Sequence, residues 1–396
     1  MYYMTDLPRK IIHGVNCTGL LLKHYDNLTT DPPTINEVHK AFNLAFDTRG
    51  KNNRRDSIYL ATMHERELWN PLEEQEIRAA VKKAAETKDV VSVLDFGCGN
   101  GKIIDLWESI ANDLAKQSKT LRVVAYEPST KALQSLRQDL TNDVNYIGAT
   151  RNYQETIHEQ LPDNGAANKP TYRASTFQND CLSITLVHAN TDDDPTSVGT
   201  TLQSVNSDSP FDLSISFESL PFVETQKKRI ATLSMLGDIT NQEGVVYATF
   251  PSMHSKKWAG YKQEIDRRKQ AGGNVGVAKE DGDILFNFMN KHVLYHLQTL
   301  PSMVNEAIRA GLNGIEAGVK QVWHQQHHQK QNRLSELDSE IAKMVNQTIA
   351  DSGIVKEAEN KGSFDEELST RLYNVAPILH TIDGMIQFKA PGKASA

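Results

Sequence analysis

One short phrase constrains this chain more than anything else in it: Val93-Leu-Asp-Phe-Gly-Cys-Gly-Asn-Gly101. It ends a β-branched run that begins at Val90, and a helical pattern from Lys102 to Lys116 follows it. Leu121–Tyr126 then reads as a second strand, and Ser129 opens another helix running to about Asp139. Strand, glycine turn, helix and strand make the βαβ unit of a parallel sheet sandwiched by helices. Glycines at 97, 99 and 101 let the backbone turn sharply and approach a ligand without side chains in the way. In doubly wound sheets a turn at the carboxyl end of the first strand is where a nucleotide binds.

Two nucleotide patterns compete for this turn. A dinucleotide fold asks for G-x-G-x-x-G, and position 102 is Lys, so that pattern fails. What stands here instead is an acid, Asp95, two residues before the first glycine, and a second acid, Glu127, after the second strand. This arrangement resembles motif I of the class I, Rossmann-like, S-adenosylmethionine-dependent methyltransferases. The resemblance implies an α/β fold: a doubly wound, mostly parallel seven-stranded sheet with helices on both faces. To this the chain adds an N-terminal helical extension and a helical insertion near the C-terminus.

The same resemblance implies S-adenosyl-L-methionine as cofactor, held by Asp95, Gly97, Cys98, Gly99 and Gly101 of the turn. Glu127 in Ala125-Tyr-Glu-Pro-Ser129 takes the place of the acid that binds the ribose hydroxyls, with Pro128 beside it. Asp180 and Cys181 in Phe177-Gln-Asn-Asp-Cys181 match the acid after the third strand, near the adenine edge. Phe211–Leu220 looks like the fourth strand and motif IV, which brings Phe217 to the donor, and Gly244–Phe250 looks like the fifth strand. The match covers about residues 85–255, with closing strands at 314–323 and 380–388, an antiparallel final pair, and 324–379 inserted between them. Motif IV reads Ser216-Phe-Glu-Ser219, without the Asn/Asp-Pro-Pro-Tyr of amino-methyltransferases acting on adenine and glutamine. The Pro-Cys nucleophile of cytosine C5 enzymes is absent as well.

At 396 residues the chain is long for one core and short for three domains. We divide it at 1–88, 89–255 and 256–396: an N-terminal extension, the donor-binding core, and substrate-side helices with the closing strands. Apolar residues at 39%, with 23 glycines besides, are enough to build a core and exclude wholesale disorder. A net charge of −7 disfavours nucleic acid and anionic membrane as partners. Three scattered cysteines argue against a disulfide framework, and no apolar run reaches membrane-span length. The expectation is a soluble, cytoplasmic protein.

Elsewhere the pattern is coarser. Helices are expected at 34–46, 71–86 and 283–310, and a strand at Tyr172–Gln178. The polar tract 189–210 reads as a surface insertion, and 389–396 as a frayed tail. Residues 330–376 show helical spacing of Leu334, Leu337, Ile341 and Met344, a stripe suited to packing on the sheet or to forming a homodimer.

Candidate catalytic residues are Glu218 and His254, either of which suits a general base or substrate anchor. No metal is expected: His324 and His328 have helical ligand spacing but lack a third ligand, and His327 does not supply it. The basic runs Arg49–Arg55, Lys256-Lys257 and Arg267–Lys269 carry no interleaved aromatics and read as solvated faces. The expected function is methyl transfer to a small molecule or a protein side chain. Two alternatives stand beside it. One is a cap-type guanine methyltransferase acting on RNA, echoed by Asn52-Asn-Arg-Arg55. The other is a non-catalytic donor-binding scaffold using the 330–376 helices.

Overall fold

The computed structural model describes residues 71–99, 101, 103–141, 153–160, 172–188, 194–207, 209–272, 275–288, 291–322, 336–380 and 384–393. The expected helix at 34–46, the basic run at 49–55 and the histidines at 324, 327 and 328 lie outside them.

The chain enters through α1 (Pro71–Ala85) and then alternates strand and helix: β1 (Val90–Phe96), α2 (Ile104–Ala115), β2 (Thr120–Tyr126) and α3 (Thr130–Thr141). A hairpin, β3 (Gln154–Gln160) and β4 (Tyr172–Gln178), leads into β5 (Leu182–His188). Then come α4 (Pro195–Val205), β6 (Phe211–Phe217), α5 (Gln226–Ile239) and β7 (Thr240–Pro251). Beyond these lie α6 (Lys256–Gln270), the hairpin β8 (Asp283–Phe288) and β9 (Lys291–His296), and α7 (Leu300–Arg309). The chain closes with β10 (Glu316–Val322), α8 (Glu336–Ser352), α9 (Ile354–Lys361), α10 (Glu366–Val375) and β11 (Gly384–Pro391).

The main sheet runs β10-β11-β7-β6-β1-β2-β5-β4-β3. Its parallel members β5, β2, β1, β6 and β7 follow the doubly wound order 3-2-1-4-5. β11 then slots antiparallel between β7 and β10, the antiparallel closing pair that the resemblance implied. The sheet is Rossmann-like and mostly parallel, but it has nine strands where seven were expected, because β3 and β4 extend the β5 edge as an antiparallel hairpin.

Strands buried on both faces need two apolar layers, and the helices supply them. On one face Ile77, Val81, Trp107, Ile110 and Leu136 from α1, α2 and α3 pack on Val93, Val123 and Ile184. On the other, Leu202, Leu233, Leu236, Val304, Ile349 and Leu372 from α4, α5, α7, α8 and α10 pack on Leu94, Val246 and Phe388. Within the 330–376 stripe, Ile341 packs against this second layer beside Val345 and Ile349 while Met344 is exposed, and Leu334 lies outside the described residues.

Four expectations are corrected. Residues 283–310 hold a hairpin before a shorter helix, because Ile284, Leu285, Leu294 and Tyr295 pack with Tyr261 and Ile265 of α6 in a small core of their own. Within the tract 189–210, residues 194–207 are no surface insertion: Asp194 accepts from Thr196 N and Ser197 N, Pro195 starts α4, and Val198 and Leu202 are buried. That cap-and-proline signal was legible but outweighed by the polar composition. The last strand begins and ends later than expected, and Lys393 beyond it donates to Ser234 and pairs with Asp238, so the tail is tied down to that point. Finally, Tyr172–Gln178 is not the third parallel strand, with consequences for the site below.

The segment between β7 and α7 leaves and rejoins the sheet at one place, where Met253 N donates to Gln298 O and Gln298 N to Pro251 O. Thr299 caps α7 by accepting from Ser302 N at 3.2 Å. Replacing Thr299 with Ala removes that cap and lowers stability by about 1 kcal/mol, measured as a shift in the urea midpoint at unchanged slope. No helix among the described residues is long and apolar enough to cross a membrane.

Candidate functional site

At the carboxyl end of β1 the glycine turn is bound to the end of β2. Gly97 N and Cys98 N both donate to Tyr126 O, at 2.8 and 3.0 Å, and Gly101 N donates to Cys98 O at 3.0 Å. Gly97 sits at φ +77°, where a Cβ would lie 2.2 Å from Ser219 Cβ at the exit of β6. Only glycine fits there, so the turn is drawn tightly against the fourth parallel strand.

Two acids face this turn from adjacent strand ends. Asp95 is 5% exposed, and Trp107 Nε1 donates to its Oδ2 at 3.4 Å. Glu127 is 3% exposed and accepts from Gly99 N at 2.9 Å and from Ser129 N at 2.8 Å. Burial pushes both carboxyls up to about 7. Each oxygen of Glu127 takes one backbone N–H, and a carboxylate offers about four lone-pair sites, so capacity remains for two further donors such as a vicinal diol. Pro128 is half-buried beside it. The Cys98 thiol is buried, and that burial together with Asp95 and Glu127 raises its pKa, so it fills space and is no nucleophile.

Phe217 closes the carboxyl end of β6, edge-on to Tyr247 at 5.2 Å. Glu218 follows at φ +56°, with its N–H on Thr249 Oγ1 at 3.0 Å. Ser219 Oγ donates to Phe96 O at 2.8 Å, binding this corner to β1. Lys320 of β10, only 5% exposed at its side chain, brings Nζ to 5.0 Å from the Phe217 ring and 3.9 Å from Glu218 Oε1. Ser219 and Lys320 went unnoticed in the sequence. The signal for Lys320 was a lysine inside a closing strand, Glu316-Ala-Gly-Val-Lys-Gln-Val322.

His254 lies past β7 on the same edge of the sheet. Its ring is edge-on to Tyr373 at 6.1 Å and to His380 at 5.8 Å, while Tyr373 and His380 stack at 4.0 Å. His254 Nε2 is buried without a hydrogen-bond partner among the described residues. Burial, then His380 and Lys262, lower its pKa and keep it neutral. The structure thus places His254, past β7, and Glu218, past β6, on the same edge as the turn.

Asp180 and Cys181 belong elsewhere, which corrects their assignment to the donor site. β4 runs antiparallel to β5, so the Asn179–Cys181 turn falls at the amino edge of the parallel strands, across the sheet from Gly97. Asn179 Oδ1 closes it by accepting from Cys181 N and Leu182 N at 3.0 and 2.8 Å. Residues 189–193, which leave the true third strand, are outside the described residues.

One cluster of metal-ligand types occurs among the described residues: Glu280, Asp283 and His296, with ligand atoms within 4.8 Å. Arg229 already serves it, donating to Glu280 at 2.8 Å and to His296 Nε2 at 2.9 Å, and to Glu306 as well. Because guanidinium only donates, Nε2 accepts and the imidazole proton sits on Nδ1, bonded to Asp283 Oδ1 at 2.8 Å. The cation of this cluster is Arg229, which ties α5 to α7 and to the β8-β9 hairpin.

No protein-family model matches the sequence, and no curated protein does. Among solved structures, an S-adenosylmethionine-dependent methyltransferase from Methanosarcina mazei aligns over 62% of this chain and 90% of its own, at 12% identity and TM-score 0.37. Another, from Clostridium acetobutylicum, aligns over 82% and 92%, at 8% identity and TM-score 0.33. The CcbJ methyltransferase of Streptomyces caelestis aligns over 47% and 51%, at 14% identity and TM-score 0.26.

Proposed function

We propose that this chain is an S-adenosylmethionine-dependent methyltransferase acting on a small molecule or a protein side chain. One observation carries the reading: two buried acids, Asp95 and Glu127, flank a glycine turn at the carboxyl ends of neighbouring parallel strands, in a sheet ordered 3-2-1-4-5. When bound, the donor supplies an activated methyl group, so the protein's part is alignment and exclusion of water. Gly97, Cys98, Gly99 and Gly101 give the backbone of the cradle. Glu127 offers its free lone pairs to the ribose hydroxyls, with Pro128 fixing the chain beside it, and Asp95 orders the turn through Trp107. Phe217 forms the wall at the fourth strand. The acceptor enters beyond the strand ends, between the glycine turn and the groups past β6 and β7.

Calorimetric titration with S-adenosylhomocysteine tests this. Micromolar binding is expected, weakened at least about tenfold in Asp95→Ala, the size of losing one hydrogen bond to a charged group. A folded wild-type protein that binds none overturns the reading.

A further inference from the structure

Glu218 is one of three non-glycine residues at positive φ among those described, and it stands where β6 leaves the sheet beside the donor turn. A left-handed backbone at such a residue is strained and survives only where the surroundings impose it. Here they do: Thr249 takes the Glu218 N–H, and Ser219 Oγ is bonded to Phe96 O and to Ser216. The result is a carboxylate set at the carboxyl edge, with its side chain 29% exposed.

The second observation is independent. Lys320 comes from β10, separated from β6 in the sheet by β11 and β7, yet its ammonium lies over Phe217 and faces the Glu218 carboxylate at 3.9 Å. Lysine is almost never this buried, since desolvating an ammonium is expensive, and an apolar residue would fill the space more cheaply. The long side chain brings a positive charge to the one carboxylate that the backbone has been bent to present.

Resting on the donor reading above, we propose that Glu218 is the acceptor-binding carboxylate of this site, that Lys320 is its positioning residue, and that the acceptor is an amine. A carboxylate only accepts hydrogen bonds and binds a cationic N–H strongly. A neutral amine attacks with its own lone pair and needs no base at the reacting atom, whereas an alkyl hydroxyl asks for a base stronger than a carboxylate. The bound ammonium first loses one proton to solvent; the neutral amine then forms one N–C bond from its lone pair while the donor's S–C bond breaks, its electron pair staying on sulfur. The product ammonium stays paired with the Glu218 carboxylate until it leaves, and any proton it sheds goes to solvent.

The test needs no identified acceptor. Sinefungin carries an amine at the position of the donor's transferable methyl, whereas S-adenosylhomocysteine carries nothing there. Both are titrated calorimetrically into wild type, Glu218→Gln, Lys320→Met and Lys320→Arg, each checked for its unfolding transition. Glu218→Gln is expected to weaken sinefungin about tenfold and leave S-adenosylhomocysteine within about twofold, the loss of one charge-assisted hydrogen bond. Lys320→Met is expected to weaken sinefungin about threefold to fivefold, and Lys320→Arg to restore it, which a merely structural lysine would not do for one ligand alone. If Glu218→Gln changes both ligands equally or neither, the assignment is overturned while the donor site stands. If wild type binds neither ligand, both readings fall. Should Lys320→Met not fold, Glu218→Gln and Lys320→Arg still decide the matter.

Discussion

Alanine at position 97 is expected to lower stability by about 2–5 kcal/mol and to weaken S-adenosylhomocysteine at least about a hundredfold. Two costs add. An L-residue at φ +77° occupies a left-handed backbone at about 1–2 kcal/mol. The new Cβ also lies 2.2 Å from Ser219 Cβ and 2.6 Å from its Oγ, an overlap that forces the β1 and β6 exits apart at about 1–3 kcal/mol. That separation breaks the Ser219–Phe96 bond and moves the turn proposed to hold the donor. Gly99→Ala is the control: φ is +58° but nothing lies within 4 Å, so only the backbone cost is expected. Gly97→Ala combined with Ser219→Gly should recover the overlap cost and not the backbone cost, a non-additivity that urea unfolding of the four proteins reads directly. A Gly97→Ala protein as stable as Gly99→Ala, binding S-adenosylhomocysteine normally, would show that the two strand exits do not meet as described.

Why was this turn legible from the chain, when its neighbours were not? Its chemistry is contiguous: Asp95 to Gly101 lie within one strand-to-helix corner, and Glu127 follows at the end of the next strand, so spacing alone locates them. Asp180 misled because an Asn-Asp turn between two β-branched runs looks the same whether the next strand runs parallel or back along its neighbour. Only the pairing of Gln178 with Ser183 distinguishes them. The β8-β9 hairpin failed for a related reason. Ile284, Leu285, Val293 and Leu294 fit a helical stripe as well as a two-stranded ribbon, and the choice is made by the packing of Ile284, Leu285 and Leu294 with Tyr261 and Ile265 of α6. Lys320 and Glu218 are about a hundred positions apart and meet only because β10 and β6 are laid in one sheet. No local pattern encodes that meeting.

Donor affinity is expected to fall steeply below neutral pH, and this separates a ligand-binding role for the acids from mere burial. Asp95 and Glu127 are pushed up to about 7 in the free protein because burial disfavours their charge, and Asp95 adds a smaller upward push on Glu127. Ribose hydroxyls donating to Glu127 favour its ionised form, so binding lowers that pKa and expels a proton wherever the free carboxyl is still protonated. The affinity for S-adenosylhomocysteine should therefore rise about tenfold per pH unit for each acid that must ionise, and level off above about pH 8. Titrations at pH 5.5, 6.5 and 7.5 in two buffers of different ionisation enthalpy measure both the slope and the protons released, and Glu127→Gln should flatten the slope. Stability of the free protein runs the other way. With native pKa values above those of the unfolded chain, the folded state holds more protons between about pH 4 and 7, so these two acids make unfolding easier as pH rises through that window and add nothing further above it. Asp95→Asn and Glu127→Gln should each remove part of that decline. Structural acids alone would give the stability trend with a pH-independent affinity, and that combination would take Glu127 out of the donor site. The two opposing slopes together require that the groups kept neutral by burial are the ones the donor pulls into their charged form.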